Sequence, residues 1–98
     1  MLATIATSTT QTTLALDPSR DYTIIHNSKN AARADDINDI FLAINESSAD
    51  GAVGEDKYLL SAGRAAVIGP GISILKYKSA AGAPTFGIAS SNKYETYK

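Results

Sequence analysis

The chain has 98 residues, of which 44% are hydrophobic and 19% charged, with a formal net charge of -1 and no cysteine. This length supports one hydrophobic core and not two. The near-neutral balance speaks against nucleic-acid binding, which needs a basic patch to displace phosphate counterions, and the missing cysteines exclude disulfides, thiolate metal sites and cysteine nucleophiles.

Residues 1–13, MLATIATSTTQTT, contain neither the basic segment nor the apolar run of a signal peptide, so synthesis in the cytoplasm is expected. Nowhere is an apolar run long enough to cross a membrane as a helix, and no membrane partner is expected. Threonine is β-branched and prefers extended backbone. The segment therefore reads either as a disordered tail or as an extended arm that pairs with a neighbouring subunit. Leu2 and Ile5 favour the arm, because a solvated tail has little use for them.

Residues 14–98 are expected to form a single domain. Leu14 and Leu16 alternate with small or polar residues at the strand period, and residues 17–21, DPSRD, supply turn chemistry through the Asp side chain and the fixed φ of Pro18. Residues 22–27, YTIIHN, predict the next strand, and residues 27–36 a polar connection. Residues 35–46 fit two patterns. Ile37, Ile40, Phe41 and Ile44 make one helical face, while Ile40, Leu42 and Ile44 alternate as a strand; the shortness of the apolar run favours the strand. A surface loop (47–56), two short strands joined near Ala62 and Gly63, and a strand over 72–80 follow. There Lys76 and Lys78 share one face and read as protection of a sheet edge. A turn at 80–84 and a last strand over 85–90 precede a tail with two tyrosines.

About seven short strands at regular spacing predict an all-β, antiparallel β-sandwich or jelly-roll-like barrel. With two Phe, five Tyr and no Trp, its core should be thin and aliphatic.

Little in the chain suggests catalysis. His26 is the single histidine, which excludes a triad or a paired-histidine metal site and leaves a structural role at a strand end. The cluster Asp35, Asp36 and Asp39 lacks the spacing of a calcium loop. The carboxylates available for paired acid–base work, Glu46, Asp50, Glu55 and Asp56, all lie in or beside one loop. Gly69-Pro70-Gly71 lacks the lysine and the helix of a phosphate loop and predicts a turn, within a hairpin-like corner. No enzyme activity, cofactor or metal is expected.

The stretches LALDPSRDYTIIHNSKNAARADDINDIFLAI and LLSAGRAAVIGPGISILKYKSAAGAPTFGIAS together resemble a group of small structural proteins of tailed bacteriophages, the head decoration or cement proteins. Residues 72–86, ending in KYKSAAGAPTF, carry the most specific part. The resemblance implies a β-rich virion protein on the outer surface of the capsid, often trimeric, with the major capsid protein and itself as partners. On that reading the expected subunit or capsid interface comprises Leu2, Ile5, Thr9, Thr10 and Thr12 of the arm, with Gly69, Pro70 and Gly71 of the turn. The alternative is a module of a phage particle that binds host-surface polysaccharide, which the low aromatic content disfavours.

Overall fold

Consecutive strands in this chain almost always change sheet. The computed structural model describes residues 2–27, 37–45, 49 and 56–91. Eight strands run in the order β1 (Leu2–Ala6), β2 (Thr12–Ala15), β3 (Asp21–Asn27), β4 (Ile40–Ile44), β5 (Lys57–Leu60), β6 (Ala65–Ile68), β7 (Ile74–Ser79) and β8 (Thr85–Ser91). Sheet A has the order β1-β8-β3-β6 and sheet B the order β2-β7-β4-β5, and every pairing is antiparallel. Two separate sheets make this a β-sandwich and not a barrel. Only β4 and β5 are neighbours both in sequence and in a sheet; the other connections arch from one sheet to the other.

The arches satisfy each other's backbone groups, which explains why turn residues cluster where they do. At one end, Thr7 N–H donates to Pro84 O and Ser79 N–H to Ser8 O, so the β1–β2 and β7–β8 arches lie side by side. Ala80 N–H adds a bond to Asp39 O at that end, and His26 N–H one to Arg64 O. At the opposite end, Gly71 N–H donates to Pro18 O and Leu16 N–H to Ser73 O. These bonds hold the β2–β3 arch against the β6–β7 arch.

Period-two alternation fills the space between the sheets. Ile24, Phe86 and Ile88 from sheet A meet Ile40, Leu42, Leu60 and Leu75 from sheet B, all buried. Phe86 and Tyr77 join the two sheets edge to face, with ring centroids 5.2 Å apart and planes at 82°. Each fully buried side chain of this size contributes about 1.5–3 kcal/mol. The core is thin and mainly aliphatic, as the composition predicts.

Residues 35–46 resolve in favour of the strand, because β4 occupies their apolar run and buries Ile40, Leu42 and Ile44. Three expectations change. Residues 1–13 are not one arm or tail: Leu2–Ala6 is a strand of the chain's own sheet A, with Ile5 opposite Phe86, and Thr12 opens β2 in sheet B. One side of β1 is paired with β8 within the same chain, and its other side is an edge of sheet A, with no strand beside it among the described residues. Lys76 and Lys78 do not guard an edge, since β7 lies between β2 and β4. Gly69-Pro70-Gly71 belongs to a sheet-to-sheet arch and not to a hairpin, because β6 and β7 belong to different sheets. The polar connection from residue 28, most of the loop 47–56 and the tail from residue 92 lie outside the described residues.

Candidate functional site

The residues singled out in the sequence fall into separate places. Thr9 and Thr10 are exposed in the β1–β2 arch, while exposed Gly69, Pro70 and Gly71 occupy the opposite end of the sandwich. Ile5 is partly buried against the core, and exposed Thr12 pairs with Tyr77. Leu2 stands opposite Ala89 in the register of sheet A. These positions do not converge on one surface.

The Pro18 end is tightly organised by short-range contacts. Asp17 Oδ1 accepts from Ser19 N–H at 2.9 Å and from the Ser19 hydroxyl at 2.7 Å, and Asp17 Oδ2 lies 3.5 Å from Arg20 Nε. The Ser19 donors, followed by the Arg20 charge, hold the exposed Asp17 carboxyl below its ordinary value. Tyr22 OH accepts from Asp17 N–H at 2.8 Å, and Arg20 Nη1 donates to Ser90 Oγ at 3.2 Å. Gly69 has φ +90, and a Cβ there would lie 2.8 Å from Arg20 O. The glycine is thus required both by its conformation and by close approach of the neighbouring arch.

His26 is a core residue, only 2% exposed. Its Nε2 lies 2.7 Å from Asn38 O. A carbonyl only accepts, so Nε2 carries the proton, and the buried Nδ1 has no partner among the described residues. The ring ties the end of β3 to the turn before β4 and is closed to a solvent-borne substrate.

The two outer faces of the sandwich differ in chemistry. On sheet B, Thr13, Lys76, Ala43 and Lys57 form one cross-strand row, and Lys78, Phe41 and Leu59 the next. All three lysines among the described residues lie on this face. It is also covered in part: Ala43 has 0% exposure although it points outward, and buried Ala49 donates its N–H to Gln11 Oε1 at 2.7 Å beside the start of β2.

On sheet A the outward rows are Ala89, Thr23 and Val67; Thr4, Gly87, Ile25 and Ala65; and Ala6, Thr85 and Asn27. Asn27 Nδ2 donates across the strands to Thr85 Oγ1 at 3.2 Å. Val67 is 72% exposed and Ile25 43%. Among the described residues, the one ionisable group in these strands that shares this face is Asp21, at its end. Sequence reasoning missed this face. Its signal was present, because LATIA, AAVI and TFGIASS contain no charge on either side of the alternation.

Comparisons with protein-family models, with curated proteins and with solved structures give no match.

Proposed function

We propose that this chain is a structural protein of a tailed-phage head, a decoration protein that binds the outside of the capsid as a homotrimer and stabilises the shell by bridging capsomers. The observation that carries this reading is the outer face of sheet A, uncharged along its rows and exposing Val67 and Ile25. An uncharged, partly apolar face of this kind suits contact between protein surfaces. The resemblance of residues 72–86 adds support, because that stretch builds β7 and the start of β8, inner strands of the two sheets. Three face copies in a trimer would turn a modest contact into firm attachment.

Adding the purified protein back to heads that lack it tests the proposal. The temperature at which those heads release DNA should rise, with bound protein on the outer surface. No binding and no shift would contradict it, and selective glycan binding in their place would favour the polysaccharide module.

A further inference from the structure

Building on the head-protein reading, we propose that the outer face of sheet A is the surface that meets the capsid, with Val67 and Ile25 as apolar anchors. The partner it fits is a flat, uncharged protein surface repeated across a shell.

Three observations lead to this partner. The first is the segregation of charge: Lys57, Lys76 and Lys78 all face outward from sheet B, and the rows of sheet A hold Thr, Ala, Gly, Asn, Ile and Val. A contact made by sheet A therefore needs no charge on the partner.

The second is exposure. Val67 is 72% exposed and Ile25 43%, whereas Gly87, between Thr4 and Ile25 in the register, is buried. The two apolar side chains are therefore the contact points that this face offers to another protein.

The third is area. Eleven described residues, Asp21 at the end included, lie on the outer face of sheet A, and strand spacing of ~4.8 Å with a two-residue repeat of ~6.7 Å gives them about 350 Å². A stable one-to-one complex uses about 800 Å² per partner. Two copies of this chain packed face to face through sheet A would bury about 700 Å² in total, well short of the roughly 1,200 Å² at which stable pairs begin. The face also lacks the Trp, Tyr or Arg that concentrates binding energy in small interfaces. It holds only where many copies engage together, as an oligomer does on a repeating lattice.

Co-sedimentation of the full-length protein with heads that lack it tests the assignment across a range of salt. Wild type is expected to bind nearly independently of salt, since no ion pairs are formed at the contact. Val67→Lys and Ile25→Lys should each weaken binding about tenfold or more, a loss of at least ~1.4 kcal/mol, while Lys78→Glu on the opposite face leaves it unchanged. Val67 is the safer probe, because its exposure lets the variant fold, which a thermal melt verifies. Heads that bind Val67→Lys as well as wild type would overturn the assignment and leave the head-protein reading standing. So would binding that collapses as salt rises. If wild type fails to bind, the head-protein reading fails, and this assignment with it.

Discussion

The amide of Gly71 donates to the carbonyl of Pro18 across 2.7 Å, so the arch that leaves β6 is fastened to the arch that leaves β2. Two glycines of this arch have positive φ but differ in their surroundings. At Gly69 a Cβ would press on Arg20 O, and at Gly71 nothing lies within 4 Å. Gly71→Ala should therefore cost only the conformational strain, about 1–2 kcal/mol. Gly69→Ala should cost more, about 2–4 kcal/mol, because backbone must also shift. Urea unfolding of both variants gives the order; equal losses would mean that the close approach at Gly69 is unimportant.

Acid should weaken the Pro18 end first. The Asp17 carboxyl is depressed in the folded state by Ser19 and then by Arg20. A depressed carboxyl contributes stability above its unfolded value and loses it as pH falls through the folded one. The loss therefore develops on the acid side of 3.8, the ordinary value. Asp17→Asn keeps an oxygen for the Ser19 donors but cannot titrate, so its stability should fall less steeply over that window. Matching acid profiles by chemical denaturation would refute this.

Removing residues 1–6 should destabilise the fold itself. The truncation strips β1 from β8 and uncovers the Ile5–Phe86 pairing. A loss of about 2–4 kcal/mol follows from one partly buried Ile and the lost ladder, seen as a lower melting temperature of the isolated protein. An unchanged melt with impaired oligomerisation would restore the reading of this segment as an arm that reaches a neighbour.

His26→Ala should cost about 2–4 kcal/mol, since it opens a cavity between the sheets and leaves Asn38 O without its donor. Thr10→Ala, on an exposed arch, should stay within about 0.5 kcal/mol of wild type. Thermal or urea unfolding of the pair measures the difference, and comparable effects would show that His26 is not a core residue.

What could be read from the residues was set by alternation. Leu75 and Tyr77 against Lys76 and Lys78 gave both a strand and its inward face, and Ile40 with Leu42 did the same for β4. Sheet membership was not legible. An arch and a hairpin use the same Gly, Pro and Asp residues, so DPSR and GPG announced a reversal without saying that the chain changes sheet there. The lysines of β7 were misassigned for this reason, because edge and centre depend on strand order. The first strand was hidden by the threonine-rich run that follows it, which suits an extended tail and a paired strand equally well. The outer face of sheet A emerged only when registers brought Thr4, Gly87, Ile25 and Ala65 into one row. These residues come from four strands far apart in sequence, and none is conspicuous alone.

Quantitative mass spectrometry of purified particles, combined with imaging of the heads, tests the proposed role most directly. The account predicts this protein in the particle at about one copy per capsid subunit, on the outer surface and with the outer face of sheet A turned toward the shell. Its absence from purified heads, or its presence only in a few copies at the tail, would contradict that role.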